Sequence, residues 1–195
     1  KSLHKPAANS PRKGISSFEL AFSLALGLAV FLKNGPLFSF QGLWGVPYLM
    51  SIHGLSKISA SSIIMAMSFA AAVAGPIAGT FCKISRLNER HFLNLNAVLY
   101  ALSWIPIAFV MKSFAVQSLW MAGLLFGFSS TVVAIMMQTL IRDVVNEGGR
   151  GVAIGLSNSM SIMGGAIYQP LMGVILDKAE ADGQGLASGY TSALT

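Results

Sequence analysis

Lys33 lies inside a long apolar stretch, 16 residues beyond Ser17, or roughly 24 Å along a helix. An ammonium group at that depth in hydrocarbon is costly unless a cavity, a partner or the water interface receives it. Two placements meet that requirement. Lys33 faces a polar cavity, where an anionic solute or a carboxylate pairs with it, or it snorkels along its own stem to the far interface. On a 3.6-residue period Lys33, Leu37, Gln41, Trp44 and Tyr48 fall along one stripe. Gln41 offers amide donors and an acceptor, while Trp44 and Tyr48 present flat faces with polar tips. These residue types suit a wall that holds a small solute. An aromatic belt at the membrane interface is the other use of such rings, and it fits Tyr48 best and Gln41 least. Near the end of the chain Asn158, Ser161, Gly165 and Gln169 share a second face, with Tyr168 beside it. Amides surrounded by hydrocarbon turn inward, towards a neighbouring helix or towards a cavity, and Gln138 has the same two options.

Other chemistries find no support. His4, His53 and His91 are far apart and have neither metal-ligand spacing nor the makings of a triad. No Gly-Lys-Ser/Thr phosphate loop occurs, which argues against a nucleotide-driven pump. The long apolar runs after residue 57 hold no carboxylate, and Glu19 stands only at the start of the first run. No enzyme activity, metal or cofactor is expected. The single cysteine, Cys82, excludes an internal disulfide. The ten methionines read as packing or lipid-facing residues.

The elements that must position these residues follow from charge patterning. Residues 34–56, 58–82, 91–111, 113–141 and 151–176 contain no Asp, Glu, Lys or Arg. Each run, coiled as a helix, is roughly 30 Å or longer, the thickness of a bilayer's hydrocarbon core. Charged residues make up 10% of the chain and hydrophobic ones 54%, where about 25% charged is usual in soluble domains. In lipid the backbone must satisfy its own hydrogen bonds, so a helical bundle or a closed barrel remains. Segments such as Val132-Val133-Ala134-Ile135-Met136-Met137 do not alternate as barrel strands do. The reading is an all-α, polytopic transmembrane helical bundle.

Five spans are expected, at about 17–50, 60–82, 92–111, 115–141 and 152–176. The first is too long for one straight crossing and is interrupted at Lys33-Asn34-Gly35-Pro36, either as one kinked helix or as two short helices in a re-entrant hairpin. Residues 1–16 form a basic loop, and 177–195 a polar loop that leads at 190–195 into a further, truncated helix. The chain opens on a basic polar segment without an initiating Met, which points to a processed product or a fragment. With five crossings, nine of the 13 Lys and Arg fall on the side of the N-terminus and three on the other, with Lys33 within a span. The positive-inside rule then places residues 1–16 in the cytoplasm and 177–195 outside. This explains the net charge of +6 without a nucleic-acid partner. Three GxxxG pairs, Gly75/Gly79, Gly123/Gly127 and Gly151/Gly155, are candidates for close helix approach.

The run Phe40-Gln41-Gly42-Leu43-Trp44-Gly45-Val46-Pro47-Tyr48-Leu49, then Gly54-Leu55-Ser56 and Gly75-Pro76-Ile77-Ala78-Gly79, resembles the seventh and eighth helices of bacterial major facilitator superfamily transporters. Gly155-Leu156-Ser157-Asn158 with Gly164-Gly165-Ala166-Ile167-Tyr168-Gln169-Pro170-Leu171-Met172-Gly173 resembles the eleventh. The family usually has twelve spans in two six-helix halves. The resemblance therefore implies most of a C-terminal half, whose partners are the lipid bilayer, a missing N-terminal six-helix half, and a small-molecule substrate moved with or without a coupling proton or ion. It implies secondary active transport by alternating access across a bacterial cytoplasmic (inner) membrane, with a channel or a structural membrane subunit as the rival reading. Lys33, Gln41, Trp44, Asn158 and Gln169 are the expected substrate-binding residues. The loop after the eighth helix departs from the family's Gly-x-x-x-Asp-Arg-x-x-x-Arg pattern, since Lys83 stands where the acid is expected, ahead of Arg86 and Arg90. A charge relay through that acid is thereby in doubt.

Overall fold

The computed structural model describes residues 14–85, 89–108, 116–183 and 185–194. Regular structure among them is entirely helical: α1 (Ser17–Ser39), a π-helical turn (Phe40–Trp44), α2 (Gly45–His53), α3 (Lys57–Ser85), α4 (Glu89–Ala108), α5 (Val116–Val144), α6 (Arg150–Ala181) and α7 (Gly185–Leu194). The chain forms the all-α bundle that its charge-free runs require. Among the described residues, four stretches are long and apolar enough to cross a bilayer: Ser17–His53, Lys57–Phe81, Val116–Val144 and Arg150–Ala181. The third expected span, 92–111, corresponds to α4, which is not among these four and carries Asn94 and Asn96. Residues 109–111 of that span lie outside the described residues, as does Arg86 of the basic loop.

A capping box starts α1: the Ser16 hydroxyl accepts from the Glu19 N–H, and the Glu19 carboxylate accepts from the Ser16 N–H. From there the chain stays helical for 37 residues, to His53, without a turn. Pro36 sits inside α1 and has no N–H to give the Leu32 carbonyl. The winding changes four residues later. The Phe40 N–H is shared between the Leu37 and Pro36 carbonyls, and the Gly45 N–H reaches back five residues to the Phe40 carbonyl. One extra residue in the winding turns everything after it by about 100° relative to an unbroken α-helix. The stripe from Lys33 to Tyr48 is therefore not one face. Tyr48 is fully buried, edge-on to Phe40, His53 and Tyr190, in neither a cavity wall nor an interfacial belt.

The loop expected over 177–195 is largely helical instead. The helix α6 continues to Ala181, a turn follows at Asp182, and α7 begins at Gly185 rather than near residue 190. Asp177, Lys178 and Glu180 mark where the polypeptide becomes polar, not where it stops coiling. Such residues cost little in an exposed helix.

The helix α1 packs chiefly on α6, and α5 takes α3 on one side and α4 on another. The central cluster joins Leu37, Phe40, Tyr48, Met67, Phe126 and Met172, with Tyr100 stacked on Phe126 at 5.2 Å and Trp104 edge-on to it at 4.7 Å. Of the three GxxxG pairs within the charge-free runs, Gly123/Gly127 makes the close approach. A Cβ on Gly127 would collide with the Met67 backbone of α3. Gly151 and Gly155 face open space, and so does Gly79. The tight α1–α6 contact uses Gly164 instead, where a Cβ would come within 2.7 Å of the Phe31 carbonyl oxygen.

In the intact protein, Gly127→Val should lower stability by at least about 1–3 kcal/mol, the usual cost of overpacking. Gly155→Ala should be neutral or slightly stabilising. Thermal unfolding in detergent reads both. Equal midpoints for the two variants would contradict the assigned α3–α5 contact.

Candidate functional site

In the C-terminal half of α1, the α1, α5 and α6 helices surround a cavity of about 100 Å³ lined by Val30, Lys33, Asn34, Ala134, Met137, Gln138, Ser157, Asn158 and Ser161. Lys33 does not snorkel away from it. Its Nζ donates to Asn34 Oδ1 at 2.9 Å and to the Ser130 carbonyl at 2.8 Å, and lies 5.1 Å from the centroid of the Tyr100 ring. Asn34 is buried and in turn donates to Ser161 Oγ at 2.6 Å, tying α1 to α6 beside the lysine. Gln138 and Asn158 line the same space with no side-chain hydrogen bond to another described residue.

A second, open groove of about 510 Å³ is bordered by Phe38, Gln41, Gly42, Ile162, Gly165, Ala166 and Gln169. Its polar groups are engaged. Gln41 Nε2 donates to Ser68 Oγ at 2.6 Å, Gln169 Nε2 to the Phe38 carbonyl at 3.3 Å, and Trp44 Nε1 to the Gln169 carbonyl at 3.0 Å. The five residues singled out from sequence thus divide. Lys33 and Asn158 meet at the cavity, Gln41 and Gln169 meet at the groove, and Trp44 ties α6 to the π-helical turn.

Sequence reasoning missed the part played by Glu19. Its carboxylate accepts from the Asn146 backbone N–H at 2.7 Å and from Asn146 Nδ2 at 2.8 and 3.0 Å. Asn146 Oδ1 accepts from the Gly149 N–H at 3.0 Å, and Arg150 Nε donates to the Val145 carbonyl at 3.0 Å. The start of α1 is thereby clasped to the loop joining α5 to α6. The Ser16-to-Glu19 capping spacing was a local signal for the carboxylate's position. Its partner, 127 residues away, had none.

Long helices almost free of internal charge, exposing Ile58, Met65, Phe69, Ile162 and Val174 on their outer surfaces, make this a multi-pass membrane protein. A family model described as Major Facilitator Superfamily matches residues 14–192. The chain belongs to that superfamily. Among curated proteins it is 28% identical over 181 residues to the lysosomal dipeptide transporter MFSD1 of Mus musculus, an alignment covering 91% of this chain and 37% of that protein. It is likewise 28% identical over 141 residues to the Homo sapiens protein of the same name, covering 72% of this chain and 29% of the relative. The chain spans about a third of the length of these relatives.

Replacing Glu19 by Gln puts an amide donor opposite the Asn146 donors. Hydrogen exchange at Asn146 and Gly149 should then become faster while the middle of α5 keeps its protection. Unchanged exchange at both amides would show that the clasp does not hold the loop.

Proposed function

We propose that this chain is most of one half of a secondary active transporter, with α1 to α6 standing for the seventh to eleventh helices of a twelve-helix carrier. The observation that carries the reading is the superfamily match over residues 14–192 of an all-helical bundle with a lysine-bearing cavity between its helices. In this reading the two six-helix halves rock about a site near the bilayer midplane, and a solute gradient, with or without a coupling ion, drives the cycle. The relatives named dipeptide transporters make a short peptide the first substrate to try. The distribution of Lys and Arg supports a cytoplasmic N-terminal segment. A bacterial cytoplasmic membrane remains the proposed location, although the relatives are lysosomal. The substrate face comprises Lys33 and Asn158 at the cavity and Gln41 and Gln169 at the groove, with Trp44 bonded to Gln169 beside it.

The hydrogen bonds of Gln41, Trp44 and Gln169 favour a second reading, in which polar residues serve as interhelical ties of a channel or a structural subunit. Counterflow separates the two. The intact protein, reconstituted in liposomes preloaded with L-alanyl-L-alanine, should exchange labelled dipeptide with a rate that saturates. Flux that rises linearly with concentration would replace the carrier with a channel.

A further inference from the structure

We infer that the Lys33 cavity is a carboxylate-binding site, a claim that rests on the transporter reading for where the carboxylate comes from. Three observations meet there. Lys33 makes no ion pair among the described residues. The groups it touches, Asn34 Oδ1, the Ser130 carbonyl and the Tyr100 ring, are all neutral. They take two of the three ammonium donors and leave one for a ligand.

Gln138 and Asn158 are the second observation. Each lines the cavity and carries an amide that makes no hydrogen bond to another described residue. Gln41 and Gln169, similar groups about two to three turns away, already hold partners. The third is size. A cavity of about 100 Å³ has room for a carboxylate accompanied by water. A cation with a free donor, flanked by two unengaged amides in a small space, matches the two-oxygen, acceptor-only character of an ionised carboxylate.

The carboxylate belongs either to the transported solute or to a side chain elsewhere in the intact protein, and one experiment distinguishes them. The intact protein in detergent is titrated with L-alanyl-L-alanine and with its C-terminal amide, and unfolding midpoints are taken with and without ligand. If the solute supplies the group, the amide binds about ten- to a hundredfold more weakly than the free acid. Lys33→Gln then loses the same factor and erases the difference between the two ligands, Lys33→Arg retains it, and Asn158→Ala loses a smaller factor with its ligand-free midpoint unchanged. If a side chain supplies it, Lys33→Gln lowers the ligand-free midpoint by several degrees, and neutralising one Asp or Glu elsewhere restores it. Both results support a carboxylate site. An unchanged midpoint together with equal binding of acid and amide overturns it. Saturable counterflow that survives this overturning would leave the carrier standing without the site. Absent counterflow with a lowered midpoint would remove the carrier and leave the pairing.

Discussion

Lipid gives helices no hydrophobic reason to associate, since acyl chains are as apolar as leucine. What remains is close packing and hydrogen bonding across the seams, and this shapes the bundle. Along the α1–α6 seam Gly164 receives the α1 backbone near Phe31 and Gly35, while Tyr168 covers Gly35. On either side of this contact lie polar ties: Asn34 to Ser161 before it, then Gln169 to Phe38 and Trp44 to Gln169 after it. Ser39 adds a contact to the Met172 sulfur at 3.7 Å. Because α1 and α6 close at Gly35 and Gly164, open space is left only before and after that point. The Lys33 cavity occupies the first position and the Gln41 groove the second.

The fold was legible because charge is the costliest thing to put in lipid. The charge-free runs pointed to an all-helical bundle, and the same logic failed at α6, where Asp177 and Lys178 end the apolar stretch without ending the helix. Glycine spacing was less informative. A GxxxG pair describes one helix, whereas a close approach needs a partner backbone at the same height. Gly127 has one in Met67 and Gly155 has none, while Gly164, outside any such pair, meets the α1 backbone directly at Phe31 and Gly35. The π-helical turn after Pro36 also left no plain mark in the sequence. Pro36 announced a disturbance, but not its form, and so Tyr48 was assigned to the wrong face.

Residue type identified the polar candidates, but not their state of engagement. Gln41, Gln138 and Gln169 carry the same amide. In the folded chain Ser68 takes up the first and the Phe38 carbonyl the third, while Gln138 lines a cavity and bonds to no other described residue. Glu19 shows the reverse. From the sequence it stands only at the start of the first apolar run, yet it both caps α1 and accepts three hydrogen bonds from Asn146. Long-range partners of this kind have no signature in a single sequence, since neither residue's neighbours differ from those of an ordinary cap or loop.

The position of Lys33 next to the helix irregularity is physically consistent. Pro36 leaves the Leu32 carbonyl without its helical donor, and the Tyr100 hydroxyl donates to the Lys33 carbonyl at 2.9 Å, so the backbone here already draws on other helices. The ammonium does the same in the opposite sense, drawing on the Ser130 carbonyl of α5. The Ser130 carbonyl, Asn34 Oδ1 and the Tyr100 face act as partial solvent for the cation and reduce the cost of keeping it away from water. Being neutral, they do not cancel its charge. A carboxylate built into the same wall would have neutralised the cation and closed the site. Dipoles alone keep the lysine tolerable in the bundle and its positive field open to an anion.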